Sequence, residues 1–133
     1  MTKDEAKQLA DQALQELHSD LKAGRSETLL RYLDAMSRFH SYSWNNSLLI
    51  LLQMPTASHV AGYRKWLELG RHVRQGEKGI GIMAPMVYRK KSDSDEQLTG
   101  YKDQRRILGF RIVHVFDVSQ TEGADLPELS SLQ

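Results

Sequence analysis

The sequence predicts an α+β fold, a helical layer packed on a small, mostly antiparallel β-sheet. Three observations carry this. Apolar residues recur at helical spacing over residues 3–39, and an all-apolar stretch follows at Ser47–Met54. Strand-like runs then return at Ile80–Ala84 and Ile107–Val118, where β-branched and aromatic residues dominate.

Residues 3–22 read as an amphipathic helix. Ala6, Leu9, Ala10, Ala13, Leu14, Leu17 and Leu21 share one face, charged and amide side chains take the other, and Gly24 ends it. Ser26 suits the N-cap of a second helix running to about Phe39, with Leu29, Leu30, Leu33 and Met36 facing inward. Neither leucine pattern continues for several heptads, so both helices are scaffold and not coiled-coil seams. In the turn Phe39–Asn46, Ser43 or Asn45 is placed to cap the helix Ser47–Met54. That helix is apolar all round, which requires central burial, and Pro55 forbids its continuation.

The centre of the chain is Val60–Pro85. Tyr63, Trp66, Leu67 and Leu69 recur at helical spacing until Gly70 caps the run. A short basic strand, Arg71–Arg74, leads into Gln75–Gly79, whose two glycines flank a charged pair as in a hairpin turn. Ile80–Ala84 reads as a buried strand broken at Pro85, and Met86–Lys91 continues the sheet. Residues 92–106 have almost no apolar content and form a long mobile loop. Ile107–Val118 returns as a strand antiparallel to Ile80–Lys91, and Asp117–Glu128 is a turn-rich tail, partly disordered. Residues 1–128 make one domain.

The 133 residues hold enough apolar side chains for a real core, 40% of the chain against 26% charged. The absence of cysteine excludes disulfides, thiolate metal sites and a cysteine nucleophile. The polar N-terminus is not a secretory signal, and the longest apolar run, Leu48–Leu52, is far too short to span a bilayer. The expected location is the cytoplasm. His18, His40, His59, His72 and His114 show no metal-ligand spacing with carboxylates. No metal, cofactor or catalytic residue is therefore expected.

The net charge is only +1, but it is unevenly spread. Residues 61–91 carry eight Lys or Arg against two Asp or Glu, while residues 1–60 and 92–133 are both net acidic. Arg64, Lys65, Arg71, Arg74, Lys78 and Arg89 thus lie close in sequence to the rings of Tyr63 and Trp66. Rings with cations suit a single-stranded nucleic acid, whose bases stack while its phosphates meet Lys and Arg. Charge alone favours the plainer reading, a solvated face common on any domain. The candidate groove comprises Tyr42, Asn46, Tyr63, Arg64, Trp66, Arg71, Arg74, Lys78 and Arg111. Trp66 has a competing role, because a Trp on an amphipathic helix usually belongs to the core. The Tyr42–Asn46 turn, just before a helix, could seat a phosphate on free backbone N–H groups.

Three phrases fall in a specific order: FHxYSxxN within residues 39–46, VAGYxxWxxLGRxVxxGEKGI at 60–80 and GFRxVxVFDxSQTEG at 109–123. Together they resemble the N-terminal single-stranded-DNA-binding domain of the ArdC antirestriction family, shared with TraC-type plasmid primases, over about residues 26–128. The resemblance implies binding of single-stranded DNA without sequence specificity, on plasmid or phage DNA. In that family the domain precedes a zincin-like metallopeptidase domain bearing HExxH. No HExxH occurs here, so no peptidase chemistry is carried over. Residues 129–133 are read as a tail, or as the start of a linker to a C-terminal metallopeptidase domain outside this sequence. Two other readings compete: a targeting domain for such a peptidase, and a protein-interaction domain. Mimicry of DNA would require an acidic surface, and the central excess is basic.

Overall fold

A computed structural model describes residues 1–89 and 105–126, with backbone alone for 87–89 and 105–108. Three helices come first: α1 (Lys3–Lys22), α2 (Glu27–Arg38) and α3 (Trp44–Gln53). Thr2 and Glu5 close a reciprocal capping box on α1, and the Ser43 hydroxyl accepts from the Asn46 N–H to cap α3. The remaining elements are β1 (Val60–Gly62), α4 (Tyr63–Glu68), β2 (Arg71–Val73), β3 (Ile80–Arg89), β4 (Arg105–Asp117), a 3-10 turn (Val118–Gln120) and β5 (Thr121–Gly123). An antiparallel sheet runs in the order β1-β4-β3, and β2 pairs with β5 in a separate antiparallel ribbon. The α+β expectation holds.

The main core lies between the helices and the inner face of the sheet, where Tyr32, Phe39, Leu48 and Ile50 meet Ile80, Ile82 and Val115. As its composition requires, α3 buries Leu48, Leu49, Ile50 and Leu51. A second, smaller cluster forms around Ala61 and Trp66, packed by Leu69, Val73, Phe116 and Val118. Strand β4 serves both, with Val115 in the first cluster and Phe116, on the opposite face, in the second.

Three expectations fail, each for a physical reason, and one strand was not foreseen. On α2 the buried face is Thr28, Tyr32 and Ala35, while Leu30 is 62% exposed and Leu33 and Met36 also face outward. One tyrosine and small residues let α2 approach α3, and the leucines are left outside. Val60–Gly62 is a strand, because its partners lie across on Val115–Asp117. The glycine turn does not join a hairpin. Of its two glycines only Gly76 has positive φ, and β2 turns away to pair with β5. Gly79 is needed for space instead, since a Cβ there would lie 2.7 Å from His114 Cβ. Finally, β3 does not break at Pro85 but runs on to Arg89.

Strand β3 is an edge, and α3 explains how it tolerates proline. The Gly81 N–H donates to Gln53 Oε1 at 2.9 Å, and Gln53 Nε2 donates to the Gly81 carbonyl at 2.7 Å. The Met83 N–H donates to Asn46 Oδ1 at 2.9 Å, and Asn46 Nδ2 donates to the Met83 carbonyl at 2.8 Å. Two carboxamides, two helical turns apart, thus stand in for a neighbouring strand. Pro85 occupies the next outward-facing position, where no N–H is required.

The loop expected at 92–106 lies outside the described residues except for Arg105 and Arg106, which open β4. The segment from Asp117 to Leu126 is not a loose tail. The buried Asp117 carboxylate accepts from the N–H groups of Ser58, His59 and Ser119 and from the Ser119 hydroxyl. The tail expected beyond residue 126 lies outside the described residues. Among the described residues, no helix is long and apolar enough to cross a membrane.

Candidate nucleic-acid interface

Helix α4 separates its two aromatic residues. Trp66 is 0% exposed, and its indole N–H donates to the Phe116 carbonyl at 2.9 Å. It belongs to the second core cluster and offers no surface to a ligand. Tyr63, three residues earlier, is 52% exposed and rests edge-on against Phe116, with ring centroids 6.4 Å apart at 68°. Phe116 fixes one side of the tyrosine and leaves the other open to solvent. Arg64 and Lys65 follow it and are both exposed.

The basic run after α4 divides in the same way. Arg71 is committed to β5 and its exit: Nε donates to the Thr121 hydroxyl at 2.9 Å, and the two terminal nitrogens to the Thr121 and Ala124 carbonyls at 2.9 and 2.7 Å. Arg74 donates to the Ser119 carbonyl at 2.6 Å and pairs with Glu77 at 3.2 Å. Lys78 is exposed, beside a polar depression of about 440 Å³ that also includes Glu5, Gln53 and Gln120. The backbone and hydroxyl of Thr2 hold the Glu5 carboxyl below the usual carboxylate range, and the charge of Lys78 adds to this.

Tyr42 and Asn46 are positioned for structure. The Tyr42 hydroxyl donates to the Val60 carbonyl at 3.2 Å, its ring packs on the main core, and burial pushes its pKa up. The carboxamide of Asn46 is fully engaged by Met83. Arg111 is exposed on β4 opposite Ala84, on the face that Val113 and Val115 present to the helices. The structure therefore does not gather the nine candidates into one groove. Tyr63, Arg64, Lys78 and Arg111 remain accessible, Arg74 partly so. Trp66, Arg71, Asn46 and Tyr42 hold the fold.

Over residues 3–116 the chain matches the family described as the N-terminal domain of anti-restriction factor ArdC. The chain belongs to that family. It is also similar to an uncharacterized protein of Bacillus anthracis, pXO2-81, with 31% identity over 85 residues, 64% of this chain and 14% of that protein. Among solved structures it is similar to the metal-free antirestriction ArdC protein from plasmid R388. That match has 17% identity and a TM-score of 0.45, and covers 92% of this chain and 49% of that one. The chain thus spans about half or less of the length of these relatives.

A further feature of this ArdC-type domain is the exposed outer face of its longest strand. The outer face of β4 carries Phe110, Ile112, His114 and Phe116 in alternation, and Phe110 is 44% exposed. Beside it Ser43, Asn45, Asn46, Met83 and Phe110 line a slot of about 370 Å³. The run GFRIVHVF signalled a strand through its β-branched and aromatic residues. That both faces would matter could not be read, because the partner of the second face, α4, lies fifty residues away. Among the described residues, no three His, Asp or Glu side chains converge to hold a metal ion.

Proposed function

We propose that this ArdC-type domain binds single-stranded DNA with little sequence preference, in the bacterial cytoplasm, and carries out no catalytic step itself. One observation supports this most. Tyr63 is braced by Phe116 with half its surface open, next to exposed Arg64 and Lys65, in the stretch where the positive charge is concentrated. A fixed ring beside mobile cations meets the two sequence-independent features of a single strand, its base faces and its phosphates. The motifs that resemble the ArdC DNA-binding domain, and the family to which the chain belongs, point the same way.

The test is a fluorescence-anisotropy titration of labelled single- and double-stranded oligonucleotides. Preference for the single strand is expected, with log K falling as log[salt] rises. The slope should be about −0.7 for each phosphate contact, so roughly −3 for about four contacts. No binding to any single strand, or equal affinity for duplex, would remove this reading. A flat salt dependence would remove its electrostatic part.

A further inference from the structure

We infer that the slot beside Phe110 holds a nucleobase of the bound strand, a stacking site separate from Tyr63; this rests on the single-stranded-DNA reading above. The Phe110 ring and the Met83 thioether form its apolar walls, while Ser43 and Asn45 supply a polar rim. Asn46 cannot contribute, since β3 holds its carboxamide. Asn45 can: its one hydrogen bond among the described residues is a weak N–H···S contact to Met83 at 3.8 Å. A flat ring between apolar walls, with an amide at its edge, matches the needs of a base.

Charge decides between a base and other apolar occupants. The slot lies on the β3–β4 ribbon, where the backbone register sets Arg89 opposite Arg105 and Tyr88 opposite Arg106, while Arg111, next to Phe110 in sequence, lies on the other face. A ribbon with this many arginines favours a polyanion, and a polyanion carrying flat apolar groups is a nucleic acid strand. A bulge between Met86 and Val87 interrupts the ladder next to the slot, the kind of irregularity that re-aims a strand. Phe110 and Phe116 share one face of β4 six residues apart, about 20 Å at strand rise. Tyr63, resting on Phe116, and Phe110 therefore stand toward opposite ends of the outer face of β4. Met1 covers Gly81, the partner of His114, between the two rings and keeps them apart as separate sites.

The test compares oligo(dT) with an abasic strand of equal length on the full chain and on Phe110→Ala and Phe110→Tyr. Phe110→Ala should weaken oligo(dT) binding about tenfold and leave abasic binding unchanged, with Phe110→Tyr restoring it. Wild-type affinity for oligo(dT) in Phe110→Ala would overturn the slot while leaving single-strand binding intact. Failure of the wild-type chain to bind any strand would remove both. If Phe110→Ala does not fold, photocrosslinking of 5-iodouracil-substituted oligo(dT) to the wild-type chain decides. Adducts at Phe110 or Met83 support the slot, and adducts confined to Tyr63 and its neighbours overturn it.

Discussion

Arg71 and Lys78 come from the same basic run, yet the fold uses them differently. Arg71 ties β2 to Thr121 and Ala124 through three hydrogen bonds, whereas the Lys78 side chain stands at an exposed turn. Arg71→Ala is expected to lower stability by about 1–3 kcal/mol, because two carbonyls and a hydroxyl lose their donor. Lys78→Ala should leave the melting temperature unchanged and flatten the salt slope of DNA binding. Thermal unfolding beside anisotropy separates the two. The sequence alone suggests that both act on DNA, since composition cannot tell a cation facing solvent from one facing a carbonyl. Trp66 and Tyr63 repeat the point. Helical spacing showed two rings on one helix, and only the position of Phe116 determines which ring is enclosed.

At the scale of elements, periodicity located every helix to within a few residues but misjudged the buried face of α2. A leucine stripe is the ordinary sign of a core face, and here Tyr32 with small neighbours replaces it. The contact between α1 and α2 relies partly on Asp20, which accepts from the Thr28 hydroxyl at 2.6 Å and from Arg25 at 2.9 Å. Those bonds, Thr28 first, hold its carboxyl below the usual carboxylate range. A pKa lowered in the folded state means stability that is present above the unfolded pKa and lost as pH falls through the folded one. Asp20→Asn should therefore melt lower than wild type at neutral pH, with the gap closing in strong acid. The edge of β3 makes a separate prediction. Replacing Asn46 and Gln53 together by Leu removes the partners of Gly81 and Met83 and exposes an unpaired strand edge. The variant should unfold at lower temperature and self-associate, as size-exclusion chromatography would report. Neither amide could be recognised from sequence, because a helix–strand clip depends on a contact some thirty residues distant.

For the whole molecule, the antiparallel pairing of β3 with β4 and the α+β class were legible, because strand runs and helical runs are long and well separated. Of the β2–β5 ribbon only the basic strand at Arg71 was legible, and neither β5 nor the pairing was. The three residues of β5 are too few for a pattern and fell in the expected tail, and each strand is stabilised by the other. Gly123 shows how close that pairing is: a Cβ there would lie 2.5 Å from the Gly70 carbonyl oxygen. Two clusters of core residues share β4, so the smaller is closed by whatever covers Phe116 and Trp66 from the C-terminal side.

That closure bears on where the folding unit can be cut. The family match ends at Phe116, yet the next eight residues supply Asp117, whose carboxylate gathers Ser58, His59 and Ser119, and the acceptors that hold Arg71. They also supply Gln120, which donates to the Lys78 carbonyl at 2.7 Å. A chain terminated at residue 116 should lose the cooperative transition of the Trp66 region and expose its indole, visible as a red-shifted tryptophan emission. A chain terminated at 126 should keep it. The smallest autonomous piece of this domain is therefore set by a carboxylate, a hydroxyl and two carbonyls that lie beyond residue 116, where the family match ends.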